Sequence, residues 1–247
     1  MTAISPLETA ARPLEWSRVR GVVFDLVDTL MRPVPSAAEA YRLAGQQFGH
    51  ELSAEEATVR FRTAFARQEK LDREHHGLRT SPDRERARWA EIVAEVFPAP
   101  EPSEQLFEAL WRHFALSEHW RPFPDVMPAL AALQRLGLRL AIGSNFDERL
   151  HGVVRGCGDL QVIAADAVFD SAALGWRKPA RPFFEALEAR LGLPPAALLM
   201  VGDDAHNDLA GAQSAGWQAY LVGSDRGEDG EAAGLGDLVE ALTAALA

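Results

Sequence analysis

The stretch Val22-Val23-Phe24-Asp25-Leu26-Val27-Asp28-Thr29-Leu30 decides the fold of this chain. Its first three residues are large and apolar, which is typical of a buried strand, and the carboxylate of Asp25 follows them directly. Open sheets of parallel strands bind their ligands at the carboxyl ends of the strands. The stretch therefore predicts that Asp25 lies at a ligand site.

From residue 121 onwards the sequence alternates between strand and helix patterns. Together with a first strand over 19–24, apolar runs predict strands over residues 138–142, 162–165 with 167–169, 197–201 and 218–222. Helices are predicted between and after them, over residues 126–136, 147–154, 182–191, 208–215 and 235–246. This alternation is typical of right-handed βαβ units, so the sequence predicts an α/β fold with a parallel sheet.

Residues 36–120 have a different character and predict an insertion made of helices, without a convincing strand. Ser36, Ser53 and Ser81 each precede a helical pattern and are of the type that caps a helix amino terminus. A fourth helix is predicted to begin near Pro102-Ser103. The predicted domain organisation is a core over residues 19–35 and 121–247 and a helical domain over residues 36–120.

The composition is that of an ordinary globular protein, with 47% hydrophobic and 25% charged residues among 247. The formal net charge is −11 and no basic cluster stands out, so we expect no nucleic-acid partner. No run approaches the roughly 18–20 apolar residues that cross a bilayer, so we expect no membrane partner. Cys157 is the only cysteine, which fits a reducing compartment and leads us to expect a cytoplasmic protein.

Four short motifs carry candidate chemistry, and the first is the stretch from Asp25 to Leu30. The other three follow in order: Leu140-Ala141-Ile142-Gly143-Ser144-Asn145, Gly175-Trp176-Arg177-Lys178-Pro179 and Leu198-Leu199-Met200-Val201-Gly202-Asp203-Asp204-Ala205-His206-Asn207-Asp208. Each contains or follows a predicted strand end, or leads into a predicted helix. They therefore supply carboxylates, a hydroxyl and a lysine to one edge of the predicted sheet.

These residue types suit phosphoryl transfer. A carboxylate such as Asp25 can accept a phosphoryl group as an aspartyl-phosphate, which divides one difficult step into two. The transferring group is anionic, so it needs donors and cations such as Ser144 and Lys178 around it. A carboxylate that faces a phosphate also needs a metal between them. Mg²⁺ prefers hard oxygens, which Asp203 and the backbone carbonyl of Val27 can offer.

Taken together, from Val22 to about Val222, the four motifs resemble those of the haloacid dehalogenase-like (HAD) hydrolases. Residues 144–147 and 175–179 look most like the subgroup of HAD-like hydrolase domain-containing protein 3. The resemblance implies a Rossmann-like parallel-sheet core with an inserted all-helical cap domain of the C1 type. It also implies Mg²⁺ as the cofactor and a small phosphorylated metabolite as the substrate.

The resemblance further implies roles for single residues. Asp25 would be the nucleophile, and Ser144 and Lys178 would bind the phosphoryl group and assist catalysis. We expect Thr29 and Asn145 to take part in phosphate binding. The metal site would be formed by four groups, namely Asp25, the backbone carbonyl of Val27, Asp203 and Asp208.

Two positions depart from the family pattern. The first motif of the family is Asp-x-Asp-x-Thr-Leu, and its second Asp, the usual general acid and base, is replaced here by Val27. Asp28 is adjacent, but successive side chains of extended backbone point in opposite directions. Ala180 stands where relatives commonly have Asp. We therefore expect the orientation of the Lys178 side chain to be less well supported.

Val27 keeps two alternatives open beside the phosphatase. A C–X bond hydrolase, similar to 2-haloacid dehalogenases or phosphonatases, would tolerate Val27 because a halide leaves without a proton. A metal-free dehalogenase should not need Asp203-Asp204, however, and a phosphonatase would need a cap lysine, for which Lys70 is the only candidate within 36–120. The second alternative is a catalytically weak phospholigand-binding module. The sequence leaves the substrate and the oligomeric state open.

Overall fold

The computed structural model describes residues 14–97, 104–223 and 234–246. The strands in these ranges are β1 (Gly21–Phe24), β2 (Met31–Pro33), β3 (Trp120–Pro122), β4 (Arg139–Ser144), β5 (Val168–Asp170), β6 (Leu198–Gly202) and β7 (Gln218–Leu221). The α-helices are α1 (Ala37–Gln47), α2 (Ala54–Glu74), α3 (Pro82–Val96), α4 (Glu104–His113), α5 (Val126–Arg135), α6 (Arg149–Gly156), α7 (Ser171–Leu174), α8 (Arg181–Leu191), α9 (Gly211–Ser214) and α10 (Leu235–Leu246). A π-helix over Ala205–Ala210 leads directly into α9.

The central sheet consists of five parallel strands in the order β5-β4-β1-β6-β7. Strand β1 lies in its middle, where Phe24 pairs with Ile142 of β4 on one side and with Val201 of β6 on the other. All four residues of β1 are buried, which explains why the strand is a continuous apolar run without polar alternation. The predicted α/β fold with a Rossmann-like parallel sheet is confirmed.

Helices α5 and α8 pack apolar side chains into the same core as the sheet. Leu130 and Leu133 of α5 and Phe183 and Phe184 of α8 are fully buried in this cluster. Burial of a side chain of this size stabilises the fold by about 1.5–3 kcal/mol, as an upper bound, so these helices contribute to the stability of the core. None of the helices within the described ranges is long and apolar enough to cross a membrane.

Helices α1 to α4 lie between β2 and β3 and have an apolar cluster of their own, which includes Tyr41 and Phe97. Ser36, Ser53 and Ser81 cap α1, α2 and α3 as predicted, each accepting a backbone N–H three residues later. The predicted start of the fourth helix at residues 102–103 lies outside the described residues, and α4 is described from Glu104. The exact domain boundaries stay a prediction.

A two-stranded antiparallel ribbon joins the entrance and the exit of this helical segment, where the sequence predicts a loop and no strand. Met31 of β2 pairs with Pro122 of β3, and Pro33 pairs with Trp120. Each strand has only three residues and includes a proline, and a ribbon of two edge strands tolerates proline. Strands this short and proline-containing have no recognisable alternation, so the expectation of a strand-free insertion was wrong at residue 120.

The predicted strand over 162–165 is also wrong. Ile163 donates its backbone N–H to Leu160 in a turn, and a single turn of 3₁₀-helix covers Ala165–Ala167 before β5 begins. Leu160 and Ile163 are both buried in the core, although they belong to irregular backbone. A short run of apolar residues can thus come from a buried turn as well as from a strand.

Candidate active site

The carboxyl ends of the three central strands bring the predicted site residues to one edge of the sheet. Asp25 follows β1, Ser144 is the last residue of β4, and Asp203 follows β6. Because β4 and β6 flank β1 on opposite sides, this edge is the point at which the chain connections diverge. Open α/β sheets bind ligands at such points.

Lys178 reaches this edge from the loop before α8 and lies between two carboxylates. Its Nζ atom donates to Asp25 Oδ1 at 2.7 Å and to Asp208 Oδ1 at 2.6 Å. The lysine side chain is almost fully buried. Burial disfavours the ammonium form, but Asp208 and Asp25 outweigh that cost and raise the pKa of Lys178 above its ordinary value. The site therefore contains a permanent positive charge beside the Asp25 carboxylate.

Asn145 contacts the backbone of Lys178 with both ends of its side-chain amide. Its Oδ1 accepts the N–H of Lys178 at 2.7 Å, and its Nδ2 donates to the carbonyl of Lys178 at 3.1 Å. Asn145 was expected to take part in phosphate binding, which stays a prediction; in the structure its amide is hydrogen-bonded to the backbone of Lys178. Position 180, where relatives commonly have Asp, is an alanine that gives α8 no side-chain cap. Asn145 supports the backbone of Lys178 through its two hydrogen bonds.

Thr29, also expected to bind phosphate, donates its hydroxyl to Asp203 Oδ1 at 2.9 Å. Burial raises the pKa of Asp203 to about 7, and the negative charge of Asp25 adds to this effect, while the Thr29 hydrogen bond opposes it. Burial also raises the pKa of Asp208, against the opposing effect of Lys178. Both carboxylates thus lie in surroundings with too little positive charge.

This shortage of positive charge fits a divalent cation. Asp25, Asp203 and Asp208 each offer one carboxylate oxygen within 4.8 Å of the others. Three carboxylates and one ammonium leave two negative charges, and hard oxygen ligands are those that Mg²⁺ prefers. The donor set is therefore suitable for Mg²⁺.

The segment after Asp25 turns sharply, and this turn changes the expected direction of Asp28. Asp28 has a left-handed backbone with φ of 58°, and its N–H donates to the carbonyl of Met31 at 2.8 Å. The argument that Asp28 must point away from the site assumed extended backbone, so it does not apply. After burial and the charge of Asp25, the negative charge of Asp28 adds to the raised pKa of Asp203.

Asp204 and Gly202 have structural tasks beside Asp203. The carboxylate of Asp204 accepts the backbone N–H groups of His206 and Asn207 at 2.7 and 2.9 Å, so this exposed side chain caps the π-helix. A Cβ atom at Gly202 would overlap the carboxylate of Asp208. Only glycine at this position leaves room for Asp208.

The fold and this site are those of a hydrolase with a carboxylate at the end of its first strand. The model of the haloacid dehalogenase-like hydrolase family matches residues 19–216, and the chain belongs to this family. The zebrafish (Danio rerio) haloacid dehalogenase-like hydrolase domain-containing protein 3 is 31% identical over 215 residues, which are 85% of this chain and 87% of that protein. The resemblance inferred from the four motifs is thereby confirmed.

Two further proteins extend the comparison. The ribulose-1,5-bisphosphate 5-phosphatase of Halopiger xanaduensis is 29% identical over 218 residues, which are 85% of this chain and 87% of that protein. The structure of the HAD hydrolase YfnB from Bacillus subtilis superposes with a TM-score of 0.74 at 19% identity, covering 92% of this chain and 99% of the other. The second likeness supports the fold alone.

Proposed function

We propose that this HAD-like hydrolase is a Mg²⁺-dependent phosphatase of small phosphorylated metabolites and that it works through an aspartyl-phosphate on Asp25. The observation that carries the proposal is the position of Asp25, which lies against the ammonium of Lys178 and within a cluster of three carboxylates. The 29% identity to a sugar-phosphate phosphatase over most of both chains also supports it.

In the proposed reaction, Asp25 attacks the phosphorus atom of the substrate. Its Oδ1 is held by Lys178, so Oδ2 is the attacking atom. The new O–P bond forms as the bond from phosphorus to the leaving oxygen breaks, and the leaving group departs with the electron pair. Water then attacks the phosphorus of the aspartyl-phosphate, which releases phosphate and restores the carboxylate. Lys178 and the Ser144 hydroxyl bind the phosphoryl oxygens during both steps.

Asp25, Asp203, Asp208 and the carbonyl of Val27 are the groups that would hold Mg²⁺. The ion would supply positive charge between the anionic nucleophile and the anionic phosphate. Thr29 orients Asp203 through its hydrogen bond, and Asn145 holds the backbone of Lys178 through another.

We further propose that α1 to α4 form the cap that closes over this site and selects the substrate. We also propose that the protein works in the cytoplasm.

Val27 limits the leaving group in this scheme. A valine cannot protonate a departing alkoxide, an effect worth about 10²–10⁴-fold in rate. Aryl and acyl phosphates release anions that need little protonation, so they are the best substrates on this proposal. The side chain of Val27 does not affect its backbone carbonyl, which is the ligand assigned to it.

The test is hydrolysis of p-nitrophenyl phosphate with Mg²⁺ and with a chelator, in the parent and in Asp25→Asn. We expect turnover that needs Mg²⁺ and falls by at least about 10³-fold in Asp25→Asn. Asp204→Asn is the matched control, because Asp204 is an exposed cap and asparagine caps a helix equally well. Retained activity in Asp25→Asn would reject the proposed nucleophile.

A C–X bond hydrolase is the second candidate, and Val27 favours it because a halide leaves without a proton. The carboxylate cluster opposes a metal-free dehalogenase, and Lys70 opposes a phosphonatase, because its side chain is 65% exposed on α2. Halide release from 2-haloacids in chelator, with no phosphatase activity, would replace the proposal. Binding of Mg²⁺ and phosphate without any turnover would instead identify a phospholigand-binding module.

A further inference from the structure

A buried cluster of charges lies between helices α2 and α3 and the loop that carries Lys178. It contains three carboxylates and three guanidinium groups: Glu69, Asp72, Glu85, Arg84, Arg88 and Arg177. No member has a side chain more than 17% exposed. A buried charge is costly unless it has a partner of opposite sign. The three guanidinium groups equal the three carboxylates in number, so the charges can pair where these elements pack together.

Arg177 is the member of this cluster that comes from the core, since the other five belong to α2 and α3. Its Nη1 donates to Glu85 Oε1 at 2.5 Å, and its Nη2 donates to Glu69 Oε1 at 2.9 Å. Burial disfavours ionisation of Glu85, but Arg177 and Arg88 outweigh it and lower the pKa of this carboxyl. One core guanidinium therefore binds one carboxylate on each of the two helices.

Two backbone hydrogen bonds join the same loop to the turn between α2 and α3. The N–H of Arg177 donates to the carbonyl of Leu78 at 2.9 Å, and the N–H of Thr80 donates to the carbonyl of Gly175 at 3.1 Å. The loop before Lys178 is thus held against the helical segment by its backbone as well as by its arginine.

Arg177 and Lys178 are adjacent in this loop, but their side chains contact two different groups of residues. Arg177 extends into the charge cluster, and Lys178 extends to Asp25. The backbone N–H and carbonyl of Lys178 are also hydrogen-bonded to Asn145, which follows β4 of the core. A shift of α2 and α3 relative to the sheet would therefore move Arg177 and, through one peptide, the ammonium of Lys178.

We infer that Arg177 is a positioning residue that couples the seating of helices α2 and α3 to the placement of Lys178. This inference rests on the proposed function where it concerns rate, because Lys178 is there assigned to the phosphoryl group. The charged contacts of Arg177 are with Glu69, Asp72 and Glu85, and its route to Asp25 is through the neighbouring Lys178. A displacement of a reacting group by about 1 Å can lower a rate by about 10²-fold, so a shift of Lys178 would have a measurable effect on the rate.

The first test compares Arg177→Met with Arg181→Met in p-nitrophenyl phosphate hydrolysis with Mg²⁺. Arg181 is the matched control, because it lies four residues along the chain with a side chain 66% exposed and pairs with Glu185 on its own helix. We expect kcat to fall at least about 10-fold in Arg177→Met with a smaller change in KM, since Lys178 interacts most strongly in the transition state. Arg181→Met should stay within about 2-fold of the parent.

Two more variants separate positioning from loss of stability. Arg177→Lys keeps the charge and should recover part of kcat. Glu85→Gln weakens the same contact from the side of α3. The double variant with Arg177→Met should therefore lower kcat little more than the more damaging of the two single substitutions does. If Arg177→Met does not fold, Glu85→Gln and Arg177→Lys carry the test. Additive losses, or a kcat equal to that of Arg181→Met, would overturn the inference.

Amide hydrogen exchange tests the coupling without any need for activity. We expect faster exchange in Arg177→Met over residues 78–80 and 175–178, with unchanged protection in β1 and β6. Unchanged exchange in the loop would overturn the inference. If the parent hydrolyses no phosphate ester, the proposed function fails by itself, and the exchange comparison still decides whether the helices and the lysine loop are coupled.

Discussion

The side-chain amide of Asn145 binds the backbone of Lys178 at two points, accepting its N–H at 2.7 Å and donating to its carbonyl at 3.1 Å. The two residues are 33 positions apart in the chain and come from different motifs. A planar amide that accepts from one peptide group and donates to the next restrains the backbone on both sides of the lysine Cα. The lysine ammonium is thus presented to Asp25 from a backbone that cannot easily rotate.

Replacing Asn145 with alanine should therefore impair catalysis without unfolding the protein. We expect kcat for p-nitrophenyl phosphate to fall by about 10–100-fold, because Lys178 loses its preorganised position. Asn207→Ala is the control, since the side chain of Asn207 donates to the helix cap Asp204. Comparable activity in the two variants would show that the amide of Asn145 does not position the lysine.

Position 27 offers a test of the leaving-group argument. Val27→Asp should raise hydrolysis of an alkyl phosphate such as glycerol 3-phosphate by about 10²-fold or more, and that of p-nitrophenyl phosphate far less. The reason is that only the alkoxide needs a proton as it leaves. Val27→Asn matches the aspartate in size but has no acidic proton, so it should show no such selective gain. Equal gains in both variants would mean that polarity at this position, and not acid catalysis, changes the rate.

The sheet and the site edge were predictable because they depend on local signals. A buried parallel strand such as β1 is a continuous apolar run, and the polar residues Asp25, Ser144 and Asp203 lie at or directly after the ends of β1, β4 and β6. Serine at 53 and glutamate at 56 form a capping box within four residues, so the start of α2 could be located to the residue.

The features that could not be predicted depend on contacts between distant parts of the chain. The charge cluster joins Arg177 to Glu85 across 92 positions, and nothing near either residue indicates its partner. The backbone at Asp28 is left-handed because the turn closes on Met31, so the direction of its side chain could not follow from strand alternation. For the same reason, the hydrogen bonds between the amide of Asn145 and the backbone of Lys178, in another motif, could not be predicted.

Gly202 is predicted to be irreplaceable even by alanine. The added Cβ atom would overlap the Asp208 carboxylate, which is held in place by Lys178 and by the N–H of Asp204. We expect Gly202→Ala to lower kcat at least about 10²-fold and to destabilise the fold by about 1–3 kcal/mol, as overpacking does. Gly236→Ala is the control, since no atom lies within 4 Å of a Cβ there and alanine favours helix α10. Parent-like activity in Gly202→Ala would show that Asp208 can move without loss.

The charge cluster also predicts how stability depends on pH. The folded-state pKa of Glu85 lies below its ordinary value of 4.5, because Arg177, Arg88 and Thr80 outweigh the effect of burial. A carboxyl whose pKa is lowered by folding stabilises the protein above its unfolded pKa. That contribution is lost as the pH falls from about 4.5 through the lower folded value.

Glu85→Gln should consequently be less stable than the parent by about 1–3 kcal/mol at pH 7, and the difference should shrink as the pH falls below about 4.5. Urea unfolding from pH 7 to pH 3 measures both quantities. The two proteins differ only at position 85, so the difference in stability reports on Glu85. Glu185→Gln, which alters an exposed pair on α8, should change stability by less than about 0.5 kcal/mol at every pH. A difference between Glu85→Gln and the parent that stays constant down to pH 3 would mean that the ionised carboxylate of Glu85 contributes nothing specific to the contact between the helices and the core.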